Sequence, residues 1–148
     1  MKKLLSFASL AALTSIAAVG CTPAGTDIGV NNPDDDTANY MNATGVLTTR
    51  YAAKSPEYIE NVFEATKRAF DELKYFRTGE TPKADGTKIF ARAHGDVQIT
   101  ADITKRVVTT KQGAKQEWIY VAISYGTWGH TKESQVIVSH ITDNLFKK

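Results

Sequence analysis

Three histidines, a few serines near two of them and a pair of aspartates are the residues of this sequence that invite a catalytic reading. His94, His130 and His140 are the residue type that binds metals or moves protons near neutral pH. No two of them share a ligand spacing such as H-x-x-x-H, and no cysteine can join them. Acyl transfer needs a nucleophile, a base and an oxyanion hole in contact. Ser124, Ser134 and Ser139 lie near His130 and His140 in the chain, yet no nucleophile-elbow motif surrounds them. Asp96 and Asp102 fall on one face of an extended segment, but six residues of strand place them roughly 20 Å apart, too far for paired-acid catalysis. These residues predict no enzyme, no metal site and no cofactor.

Two further groups can be read for binding. Gly126-Thr127-Trp128-Gly129 leads into a helix start at Thr131, a setting in which backbone N–H groups hold anions. The plainer reading is structural: the glycines permit unusual φ values and Trp128 covers the end of the core. Lys105, Arg106, Lys111 and Lys115 surround one hairpin and could meet anionic lipid or polysaccharide, although solvated hairpin tips are commonly charged.

The sharpest chemistry lies at the start of the chain. Lys2 and Lys3 precede an apolar run from Leu4 to Val19, broken by Ser6, Ser9, Thr14 and Ser15 and followed by Gly20 and the sole cysteine, Cys21. A short charged start, a brief apolar core and a small residue at the cut make a secretory signal rather than a membrane span. Ala18-Val19-Gly20-Cys21 resembles the bacterial lipobox, with Ala18 where an aliphatic residue is usual. That resemblance implies cleavage before Cys21 and diacylation of its thiol, often with acylation of the new amino group. Two or more acyl chains hold a protein stably at about 0.8 kcal/mol per buried methylene, so the membrane is the first expected partner. Thr22 follows the cysteine where Asp would mark retention in the inner membrane, so the enteric-type sorting rule predicts the outer membrane.

Cleavage removes Lys2 and Lys3 and no acid, which leaves sixteen basic against sixteen acidic residues in a mature chain of 128. This neutral balance speaks against a nucleic-acid partner. One domain of that size buries a sufficient core without disulfides, and a single cysteine can form none within the chain. Residues 21–43 hold two of the four prolines, the run Asp34-Asp35-Asp36 and no apolar periodicity. They predict a flexible tether, with a reach of about 26 Å as a coil. The sequon Asn42-Ala43-Thr44 is a chance match in a bacterial setting.

Residues 44–148 are expected to form the folded domain. Gly45–Tyr51 is β-rich. Ser55 and Pro56 predict an N-cap and first helical position for a helix whose inner face carries Tyr58, Val62, Phe63, Phe70 and Leu73. Glu64 and Arg68 are spaced as an i,i+4 pair. A short strand over 75–78 precedes a polar turn containing Pro82. The segment 87–94 alternates Ile89, Ala91 and Ala93 against Lys88, Arg92 and His94, and turns at Gly95-Asp96. The next strand alternates Val97, Ile99, Ala101 and Ile103 against Gln98, Thr100, Asp102 and Thr104. After a tip at 111–115, Ile119, Val121, Ile123 and Tyr125 share a face. Thr131 is the expected cap of a last helix with the stripe Ile137, Val138, Ile141 and Leu145. Alternating strands and striped helices predict one α+β domain of order β-α-β-β-β-β-α. Its single antiparallel sheet carries both helices on one face, and Phe63 and Ile141 are buried together.

This order, the helix YIENVFEATKRAFDEL and the closing segment VAISYGTWGHTKESQVIVSHI resemble a family of small bacterial envelope lipoproteins known only as a domain of unknown function. Gly126, Trp128, Gly129 and Ser134 match its closing Gly-x-aromatic-Gly signature, and His130 stands where the family usually has Asp. The resemblance implies fold and location, not a reaction. The expectation is a lipid-anchored envelope protein, periplasm-facing or at the surface, with a binding or scaffolding role. The alternative is a carrier of a small apolar ligand or lipid between helix and sheet, with Ala91, Ala93, Ala101 and Ala122 leaving room.

Overall fold

The computed structural model describes residues 40–147; the signal segment, Cys21 and the tether up to residue 39 lie outside them. The elements are β1 (Tyr40–Met41), β2 (Val46–Ala52), α1 (Tyr58–Glu72), β3 (Phe76–Lys83), β4 (Gly86–Ala93), β5 (Val97–Thr109), β6 (Lys115–Tyr125) and α2 (Thr131–Phe146). The expected order β-α-β-β-β-β-α is present, with the two-residue β1 added in front. All pairings are antiparallel, and the sheet runs β1-β2-β6-β5-β4-β3. The chain therefore joins the sheet at Tyr40, ahead of the boundary at 44. Between β1 and β2, the Asn42 side-chain Oδ1 accepts from the Thr44 hydroxyl (2.7 Å) and from the Thr44 and Val46 N–H groups (both 3.0 Å). Asn42 shapes this turn as asparagine does in many turns.

Register explains which side is buried. Leu47, Ile123, Ala101 and Ile89 lie in one row across four strands and are fully buried. The two helices cover this row and its neighbours, and Val62, Phe70, Ile137 and Ile141 fill the interior from above. Tyr51 also belongs to this core. Its hydroxyl lies 2.9 Å from Thr142 Oγ1, tying β2 to α2, and burial pushes the phenol up to about 12, so the group stays neutral.

Several local expectations need correction. The α1 helix starts at Tyr58, after a turn in which Tyr58 N–H donates to the Ser55 carbonyl at 3.1 Å; no side chain caps it. Ser55 thus serves through its backbone. Phe63 is only half-buried at the core's rim, and the helix centre is Val62, Ala65, Thr66, Ala69 and Phe70. Glu64 pairs with Lys67 at 2.9 Å, not with Arg68. The third strand is longer than expected and runs through Pro82, which pairs with Thr87. Proline is tolerated there because β3 is an edge strand.

Candidate functional site

The face of the sheet opposite the helices is where polar and aromatic side chains collect. Register places Thr48, Ala122, Asp102, Lys88 and Thr81 in one row, and Arg50, Tyr120, Thr104, Gly86 and Lys83 in the next. No described helix covers them. The Arg50 guanidinium lies 4.5 Å from the Trp118 ring centroid, and that of Arg106 lies 5.3 Å from Tyr120. Such stacking holds the cation flat; Arg50 lies over a Trp118 that is itself buried, with its Nε shielded from solvent. Phe76, paired with Arg92 on this face, is 73% exposed.

Asp102 is the electrostatic centre of this face. The Lys83 ammonium donates to its carboxylate, the Thr104 hydroxyl donates at 3.2 Å, and Lys88 Nζ lies 3.5 Å away. Partial burial alone would raise the carboxyl, but the Lys83 hydrogen bond, the two ammonium charges and Thr104 together hold it below the usual carboxylate range. A depressed folded value contributes stability that is complete above about pH 4 and lost as pH falls through that lower value. Asp102→Asn is therefore expected to cost about 1–2 kcal/mol at neutral pH. The deficit should be smaller at about pH 3, because the unfolded chain's carboxyl takes up a proton below about pH 4 while the folded one resists it. Urea denaturation at both pH values checks this, and an equal deficit at each would exclude the charge as its source.

The residues singled out from the sequence are placed as follows. His94 lies in the exposed β4–β5 turn, beside the positive-φ Gly95 and Asp96. His140 Nδ1 lies 2.8 Å from Glu72 Oε2, joining α2 to α1, and this hydrogen bond lowers the Glu72 carboxyl. His130 is the N-cap of α2, its Nδ1 accepting from Glu133 N–H at 3.4 Å. The expected cap, Thr131, instead directs its hydroxyl to Met41 Sδ at 3.0 Å. Imidazole Nδ1 does here what an Asp carboxylate does at many caps. Ser134 is fully buried, its hydroxyl without a hydrogen-bond partner among the described residues. The three histidines lie in separate places, and among the described residues no group of three or more His, Cys, Asp or Glu side chains is placed to hold a metal.

The glycine turn has a clear structural demand. Gly126 and Gly129 have φ of +70° and +74°, Gly126 N–H donates to the Gln98 carbonyl at 2.8 Å, and Gly129 packs backbone to backbone on Gly45. Trp128, expected over the end of the core, is 89% exposed: the turn directs its side chain outward. Beside this turn a polar cleft of about 590 Å³ is bordered by Arg92, Asp96, Gln98, Thr100, Ser124 and Thr127.

No family profile matches the sequence, and no curated protein matches it at a significant level.

The open face was legible as a polar strand face, but its arginine–aromatic stacks were not. They join residues on different strands, and only the β2–β6 and β5–β6 registers bring them together. Of the four alanines read as leaving room for a ligand, Ala91, Ala93 and Ala101 are buried beneath the helices. Ala122 lies on the opposite, open face, in register with Thr48 and Asp102.

Proposed function

We propose that this chain is a lipid-anchored protein of the bacterial cell envelope that binds a partner protein through its open sheet face and carries out no reaction there. The anchor reading rests on Lys2, Lys3, the apolar run and the segment Ala18 to Cys21. The binding reading is carried by one observation: the face away from the helices bears stacked Arg50–Trp118 and Arg106–Tyr120 pairs together with exposed Phe76. Aromatic and arginine side chains are the types that dominate interface energetics, and here they are held in place before any partner arrives.

Two measurements in the bacterium test the two halves separately. Cys21→Ser is expected to abolish palmitate labelling and leave the precursor uncut; unchanged labelling would remove the anchor. A photo-crosslinking residue at Tyr120 is expected to trap a discrete envelope protein, whereas one at Glu60 on the exposed side of α1 traps none. Equal products from both positions, or none from Tyr120, would remove the binding face.

A further inference from the structure

Beyond the body of the sheet, β5 and β6 continue as a free-standing arm. The last β4 partner of β5 is Thr104, paired with Gly86, and Lys105 N–H reaches the Asp85 carbonyl at 2.8 Å. The last β2 partner of β6 is Trp118, with Ala53 N–H donating to the Glu117 carbonyl at 2.9 Å. From there the two strands pair only with each other, through Val107–Glu117, Val108–Gln116 and Thr109–Lys115. The tip closes with Thr110 N–H on the Ala114 carbonyl at 2.7 Å. At about 3.3 Å per residue the arm extends roughly 20 Å from Thr104.

Its composition is one-sided. Residues 103–117 contain Lys105, Arg106, Lys111 and Lys115 against a single acid, Glu117, whose carboxylate lies 3.7 Å from Lys105 Nζ. Val107 and Val108 stand between these cations and are 60% and 39% exposed. Successive strand residues point to opposite faces, so each face of the arm carries one valine. A purely solvated tip requires no β-branched apolar residues at these positions, and an apolar protein contact is poorly served by a surplus of three positive charges. The combination of cations flanking shallow apolar side chains is complementary to an anionic bilayer surface, where phosphates meet the first methylenes.

The described domain begins at the end of the sheet that carries the arm. Tyr40 pairs with Thr48 and Met41 with Leu47, so β1 begins on the side of Thr49 to Ala52, the end from which the arm projects. Eighteen residues lie between Cys21 and Tyr40, a contour of at most roughly 65 Å over the nineteen steps. We infer that the β5–β6 arm is a second membrane contact, docking on anionic phospholipid and fixing how the domain sits above its membrane. This rests on the anchored reading for its setting; the arm's chemistry is tested without the anchor.

The test uses the chain from Thr22 onward, which retains every described element and has no acylation site, in sedimentation with vesicles. Binding is expected to vesicles of equal parts phosphatidylcholine and phosphatidylglycerol and not to phosphatidylcholine alone, with loss at roughly 0.5 M salt. Lys111→Gln with Lys115→Gln should weaken it about 25-fold, at roughly fivefold per charge. Val107→Ser with Val108→Ser should weaken it while leaving its salt dependence. Lys132→Gln on α2 should leave it unchanged, and circular dichroism shows that each variant is folded. Equal binding to neutral vesicles, no binding to either, or undiminished binding by the double lysine variant would each overturn the inference. Unchanged palmitate labelling in Cys21→Ser would remove the anchor and leave the vesicle result standing.

Discussion

Replacing Gly129 with alanine is expected to destabilise the domain by about 2–5 kcal/mol, the combined cost of a left-handed residue bearing a Cβ and of forced overpacking. The added carbon would stand 2.2 Å from the Gly45 carbonyl oxygen and 2.5 Å from its Cα, both of them backbone. The reverse substitution fares no better, since a Cβ on Gly45 would lie 2.3 Å from the Trp128 carbonyl oxygen. Neither side can yield by a rotamer change. This contact locks the start of β2 against the entry to α2. Gly113 provides the control: its φ is +81° but nothing lies within 4 Å of an added Cβ. Gly113→Ala should therefore cost only the conformational part, about 1–2 kcal/mol. Chemical denaturation of both variants decides the matter, and equal losses would show that backbone contact at Gly129 carries no energy of its own.

The second large effect is expected at Phe70. It is fully buried, its ring centroid lies 6.2 Å from that of Tyr75, and it fills the space between α1 and the sheet. Phe70→Ala should cost about 3–5 kcal/mol through lost transfer energy and a cavity that this packing cannot close. Phe63→Ala, at the half-buried rim, should cost clearly less. If the order of the two were reversed in urea titrations, the face assigned to α1 would be wrong.

That contrast shows what the sequence could convey. Strict alternation made β4, β5 and the inner half of β6 legible, because a one-residue slip would invert every side chain. In α1 the largest apolar residues drew the expected stripe toward Phe63. Helices that approach a sheet closely put small residues at the closest point, so Ala65, Thr66 and Ala69 take the centre. The extent of β3 was hidden because nearly every residue in it is exposed; its hydrogen bonds to β4 define it, and composition does not record those. Trp128 misled for a related reason. Aromatic character suggests burial, but the positive φ of Gly126 and Gly129 sets the local path and turns the ring out. Of the candidate site, the polar face could be read from the strand alternation; the pairing of arginines with aromatics across strands needed the register.

The position of β6 between β2 and β5 has a consequence for how the molecule comes together in time. The run β3-β4-β5-β6 is a meander in which each strand finds a neighbour that is next in sequence, so it closes only short loops. β2, made before all of them, has to wait for β6, the last of the described strands, and closing so long a loop is slow. Until then its apolar residues Leu47 and Tyr51 have no sheet to join. The first long strand of the domain is thus the last to be protected, and a chain halted before Tyr125 exposes an unpaired β2 edge of the kind that promotes association between chains.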